Sequence, residues 1–391
     1  MSWRVITGAA LLAALLTAGG GCGKGEEKGD EIRIGVIAEL TGDLAAVGAS
    51  CRNAVELGAR RVNEAGGVEI GGRKHRVRIF VEDNGDKSDQ SVATAQKLIA
   101  QDGVLAIIGP NASRCAIPAA EIAEASRVVL ISPWSTAPRL TLDARTGLPK
   151  KYVFRSGFID PFQGGVIARF ARETLGAKRA AVLYDVASEY NKGIAEVFKT
   201  AFTTGGGEVV AFETYTTGDK DFSAQLTKIK NANPDIVFLP NYYTEVPLQV
   251  QQAHRLGLGK VAFIGGDSWG SPELLQNAGG LFDGYYFSTH YAADVPTPPV
   301  QAFVAAYKAA YGSAPDDVAA LSTDAFWLLM QAITEAGRPD REALRNALAG
   351  IQDYDGITGR MRFNGTGDPV KSAVILKIEN GAFKFYSRVE P

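Results

Sequence analysis

Residues 104–113 (VLAIIGPNAS) and 128–138 (VVLISPWSTAP) decide the fold. Each is an apolar run of strand length that stops abruptly in a loop of small hydroxyl residues, the pattern of a parallel strand buried on both faces. In an open α/β sheet, ligands sit beyond the carboxyl ends of the strands. Hydroxyls and the free N–H groups of the next helix suit a carboxylate there. Ser113, Ser135 and Thr136 are therefore the candidate anion clasp.

Outward from these runs the same unit repeats. Residues 32–38 (IRIGVIA) read as a strand, and residues 49–65 carry helical spacing at Ala54, Leu57, Gly58 and Val62 before the Gly66-Gly67 stop. Residues 75–82 alternate as a strand, and helices are predicted over 88–102 and 117–125. Four strands separated by helices predict a parallel sheet with right-handed crossovers. The pattern then restarts. Strands over 179–184, 208–215, 236–240, 261–265 and 284–289 alternate with helices over 163–175, 193–203, 222–231 and 246–256 and a short one near Leu274, which predicts a second sheet of similar design. Helices over 300–311, 318–336 and 341–350 follow, then strands 373–379 and 382–388 joined by the hairpin signal Asn380-Gly381. Helices returning this late suggest that the chain re-enters its first domain.

A chain of 391 residues with 46% hydrophobic content exceeds one compact core; at about 150 residues per domain it predicts two or three domains. Forty-one basic residues against 43 acidic ones give no basic field, so nucleic acid is not an expected partner. At the N-terminus, Arg4 precedes an apolar run over 5–18 that is too short to cross a ~30 Å hydrocarbon core and reads as a secretory signal. It ends in Gly19-Gly20-Gly21-Cys22, which resembles the lipobox at which bacterial lipoproteins are cleaved and acylated, with Gly19 where leucine usually stands. Cys22 is thus the expected lipidation site, residues 1–22 the signal, and the charged, glycine-rich residues 23–30 a tether. Cys51 and Cys115 remain, either as a disulfide or as two buried thiols. No metal-ligand spacing is present. His75, His254 and His290 lie far apart and outside any nucleophile motif, and Gly205-Gly206-Gly207 lacks a dinucleotide-binding frame, so neither an enzyme nor a cofactor is expected.

From Glu31 onward the order of motifs closely resembles the leucine-isoleucine-valine binding protein family, the type I periplasmic receptors of ABC transporters. The resemblance rests on IGVIAELTGDLAAVG (34–48), NEAGGVEIGG (63–72), VEDNGDKSDQSVATAQKLI (81–99), ISPWSTAPRLT (131–141), FRSGFIDPFQG (154–164), DFSAQLTKIKNANPDIVFLPNYYTE (221–245) and FIGGDSWG (263–270). It implies two doubly wound parallel-sheet lobes joined by three crossings, near Ile159, His290 and Phe363. One lobe would then be 31–159 with 290–362, the other 160–289 with 363–391. It also implies that Ser113 and Thr136 hold a ligand carboxylate, that backbone groups of Trp134 and Ser135 contribute, that Tyr190 and Tyr242 line the second lobe's side, and that Asp267 pairs with an ammonium. Trp134, a large aromatic in this loop, would shrink or reshape the side-chain pocket.

Each of these residues has a plainer reading. Ser113 and Thr136 could cap the next helices, Asp267 a short turn, and the aromatics could belong to the core or the surface. Phe162 and Gln163, where the chain enters the second lobe, either line the cleft or cap their helix, and the structural role is the favoured reading. The expected protein is a monomeric, lipid-anchored receptor in the periplasm or at the cell surface, touching the membrane through its anchor alone. It would take an apolar, branched-chain or aromatic α-amino acid and present it to permease subunits. The alternatives are a receptor for an amide, urea or an aromatic carboxylate, and a sensory module for a signalling partner.

Overall fold

The computed structural model describes residues 31–391 apart from Asn364, so the signal, the Cys22 acylation site and the tether lie outside the described residues. The first sheet contains β1 (Glu31–Ala38), β2 (Val68–Ile70), β3 (Arg73–Asp83), β4 (Ala106–Ile108), β5 (Val129–Ser132) and β6 (Val153–Arg155) in the order β2-β3-β1-β4-β5-β6. Every pairing is parallel except the β2–β3 hairpin. β4 and β5 are buried along their whole length, as their unbroken apolar runs require. Helices α1 (Ala45–Glu64), α2 (Ser88–Ala100) and α3 (Ser113–Ala125) make the crossovers.

After α4 (Asp160–Glu173) the second sheet begins. It takes β7 (Arg179–Asp185), β8 (Glu208–Tyr215), β9 (Ile236–Leu239), β10 (Ala262–Gly265) and β11 (Tyr286–Thr289), with α5 (Glu189–Thr204), α6 (Ser223–Asn231), α7 (Val246–Arg255) and α8 (Pro272–Ala278) between them. Three helices follow, α9 (Pro298–Tyr311), α10 (Asp317–Ala336) and α11 (Arg341–Gly350). α9 and α10 pack on α1, and α11 on α10 and β5, which brings these late helices against elements of the first sheet. Gly58 permits the approach of α10 to α1: a Cβ there would lie 2.5 Å from the Phe326 ring.

A small antiparallel sheet of β12 (Tyr354–Gly356), β13 (Gly359–Phe363) and β14 (Pro369–Val370) then leads to β15 (Ala373–Glu379) and β16 (Ala382–Val389), which extend the second sheet antiparallel to β11. Its order is β16-β15-β11-β10-β9-β7-β8. The two-lobed α/β architecture agrees with the sequence reading. β2, β6 and the strands of the small sheet were not foreseen. They span only two to five residues, too few to display a period. α3 begins at Ser113, four residues before its predicted start, because Pro118, which resembles a first-turn proline, lies inside the helix.

Candidate functional site

The carboxyl ends of both sheets converge on one closed cleft. From the first lobe, the loop after β4 supplies Asn111 and Ala112, whose N–H groups donate to Glu39 Oε1 at 3.0 and 3.2 Å, while Asn111 Nδ2 donates to Glu39 Oε2 at 2.8 Å. Burial raises the Glu39 carboxyl above its ordinary range, against the pull of the Asn111 bond. This buried acid fixes the loop, so that Ser113 opens α3 with its hydroxyl 2.9 Å from that of Ser135. N–H groups of a first helical turn have no intrahelical partner and are available to an anion.

The loop after β5 carries the rest of the clasp. Arg155, fully buried at the end of β6, donates to Ser135 O at 2.6 Å, to Ala137 O at 2.8 Å and to Asp368 Oδ1 at 2.6 Å, tying this loop to the third crossing. Trp134 is 5% exposed and its Nε1–H donates to Asp317 Oδ2 at 3.2 Å. Thr136 is buried and its hydroxyl, which makes no hydrogen bond, stands beside the Asp160 carboxyl. Both Asp160 oxygens are unbonded as well; burial pushes this group up to about 7, with Thr136 acting in the opposite direction.

The second lobe supplies Tyr190, Tyr242 and Asp267. Asp267 Oδ1 accepts from the Tyr190 hydroxyl at 2.6 Å and from Gln163 Nε2 at 3.0 Å, and Oδ2 accepts from His290 Nε2 at 3.2 Å. Burial holds His290 down to about 4, against the raising influence of Asp267, so at neutral pH a neutral imidazole is the donor. Its ring stacks on Phe158 with centroids 3.7 Å apart. Tyr242 lies between the lobes, 5.6 Å from the Tyr190 ring, 6.0 Å from the Trp134 ring and 5.2 Å from the Arg114 guanidinium. Arg114 is itself paired with Asp86.

Asn111, Ala112, Ser113, Trp134, Tyr190, Tyr242 and Asp267 enclose a cavity of about 10 Å³, room for roughly one water. Five of the seven sequence candidates therefore share one wall. Ser135 reaches it only through Ser113, and Thr136 turns to Asp160. Sequence reasoning missed Asn111, whose Oδ1 is buried without a partner, and His290, and it assigned Gln163 a merely structural role. Asn111 lies inside the loop quoted at the outset, a signal that was present; nothing near Gln163 or His290 in the sequence announces Asp267.

The open question of the cysteines resolves to two free, buried thiols rather than a bridge. Cys115 Sγ is 3.7 Å from Asp86 Oδ1, whereas Cys51 on α1 has Ser322 beside it, so the sulfurs turn to different partners. Burial pushes the Cys51 thiol up to about 12 and raises Cys115 too, leaving both unreactive.

Two α/β lobes closed on a buried dipolar cleft define a two-lobed binding protein, and the comparisons agree. The sequence pattern of the periplasmic binding protein family matches residues 31–382. The chain is 31% identical over 340 residues to the leucine-, isoleucine-, valine-, threonine-, and alanine-binding protein of Pseudomonas aeruginosa, covering 87% of each chain. Its fold is similar to that of the leucine binding protein of Thermotoga maritima, with a TM-score of 0.85 and 33% identity over 92% of this chain and 99% of that one. It is equally similar to the branched-chain amino acid transporter substrate binding protein of Streptococcus pneumoniae in complex with isoleucine, with a TM-score of 0.84 and 32% identity over 92% and 100%. The chain belongs to the Leu/Ile/Val-binding protein family of periplasmic binding proteins. Among the described residues no helix is long and apolar enough to cross a membrane.

Proposed function

We propose that the chain is the solute-binding receptor of an ABC transporter and captures an α-amino acid between its lobes for import. One observation carries this reading: the Ser113 hydroxyl at a helix start on one lobe and a buried acid on the other meet in a single cavity. A zwitterion enclosed there loses its hydration and recovers that cost only where donors meet its carboxylate and an acceptor meets its ammonium. Ser113 with the first-turn N–H groups, supported by Ser135 and Thr136, serves the carboxylate. Asp267 serves the ammonium, with Tyr190 and Tyr242 closing the wall. Contacts from both lobes to one solute favour the closed shape, which is what a permease can distinguish.

On this reading the lobes are 31–159 with 290–362 and 160–289 with 363–391. The mature protein is a monomer outside the cytoplasm, held to the membrane by lipid on Cys22, and it binds without turning its ligand over. An amine-free aromatic acid would face Asp267 unfavourably. Titration calorimetry on protein freed of endogenous ligand tests the reading: an amino acid should bind, and binding confined to amides, urea or benzoate overturns it.

A further inference from the structure

The cleft closes on very little space, and Trp134 is the bulkiest side chain in its wall. We infer that Trp134 sets the upper size limit of the ligand and restricts the cleft to the smallest amino acids, those with a side chain no larger than a methyl or hydroxymethyl group. This rests on the amino acid reading above. The cavity of about 10 Å³ means that any amino acid parts the lobes to some extent, and each added methylene parts them further against the ring wall.

Trp134 is not free to yield. Its Nε1–H is bonded to Asp317 Oδ2, which also accepts the Thr289 hydroxyl at 3.0 Å, so a displaced indole would strip one of two donors from a buried acid. The acid is itself wedged, since a Cβ on Gly270 would come within 2.7 Å of Asp317 Oδ1. On its other side the indole meets Tyr242, which in turn is flanked by Arg114 and Tyr190, and the Tyr190 hydroxyl is fixed on Asp267. The ring wall is thus anchored at both ends by buried acidic side chains. The polar ends of the cleft are not filled in the same way: Ser113 at the start of α3 and Asp267 on the opposite lobe both lie in the cavity wall. The site offers contacts for the dipolar part of an amino acid and withholds room for its side chain.

The test is a ladder of ligands titrated into the mature protein after removal of endogenous ligand: glycine, alanine, serine, 2-aminobutyrate, valine and leucine. Affinity should peak at alanine or serine and fall at least about a hundredfold by leucine. Trp134→Ala should bring leucine to within about tenfold of alanine, and Trp134→Phe, which keeps the bulk and loses the bond to Asp317, should narrow the gap only in part. Leucine bound by the parent as tightly as alanine overturns the inference while leaving the amino acid reading intact. Binding of urea or benzoate with no amino acid bound at any size overturns both. The parental ladder decides the matter even if a variant does not fold.

Discussion

Asp267 has three donors within hydrogen-bond distance before any solute arrives, and its value to a ligand lies in the acceptor capacity left over. Asp267→Asn places an amide N–H2 among donors and removes the charge that an ammonium needs. Amino acid affinity by calorimetry should fall by about two to three powers of ten. Two neighbouring groups contribute to the dependence of stability on pH with opposite signs. His290 is held at about 4, below its ordinary 6.5, so its contribution is complete above pH 6.5 and is lost as pH falls toward 4. Asp160 is raised to about 7 from 3.8, so its contribution is complete below pH 3.8 and is lost as pH rises through 7. Asp160→Asn should therefore stabilise the fold at pH 8 relative to the parent, by on the order of 2–4 kcal/mol, and should not do so at pH 4. Thermal melts at the two pH values check it; equal shifts at both would refute the buried-charge account. Residues such as these were only partly legible. Ser113 and Asp267 end predicted strands and could be named. Gln163 takes its meaning from Asp267, 104 positions away, which no local pattern reveals.

Among the elements, legibility followed length and apolar character. β4 and β5 were plain because burial on both faces leaves an unbroken run, whereas β6, only Val153–Arg155, shows no period and yet carries the arginine that clasps the Ser135 loop. Removing that guanidinium leaves the buried Ser135 and Ala137 carbonyls without their donor and the half-buried Asp368 with the Thr141 hydroxyl alone. Arg155→Met should destabilise the fold by about 3–5 kcal/mol in denaturant unfolding, and ligand affinity should fall with it as the loop loosens. The α1–α10 contact was equally hidden, since nothing in Gly58 announces Phe326. Gly58→Val should cost about 1–3 kcal/mol by the same measurement, with part of the loss recovered when Phe326→Leu is added.

At the scale of the whole molecule, the restart of the strand and helix pattern near residue 163 was enough to predict two sheets, because each sheet's buried strands write their own apolar runs. How far the lobes close was not legible, since closure depends on contacts between distant loops. These include Trp134 and Arg114 against Tyr242, the Tyr243 hydroxyl donating to Asp43 O at 3.4 Å, and the exposed Arg139–Glu189 pair at 2.8 Å. The exposed pair is screened by water, so Glu189→Gln should alter ligand affinity by less than about 1 kcal/mol, and by less still at high salt, as calorimetry at two ionic strengths would show. The Arg155 clasp bears on how such a shell opens. By joining β6, the Ser135–Ala137 turn and the Gly367–Asp368 stretch, it makes one solid block of a sheet edge, a binding turn and an interlobe strap. Any pivot at that crossing would then fall beyond Asp368 rather than at the proposed boundary of 363, and the turn would travel with the first half as the jaws part.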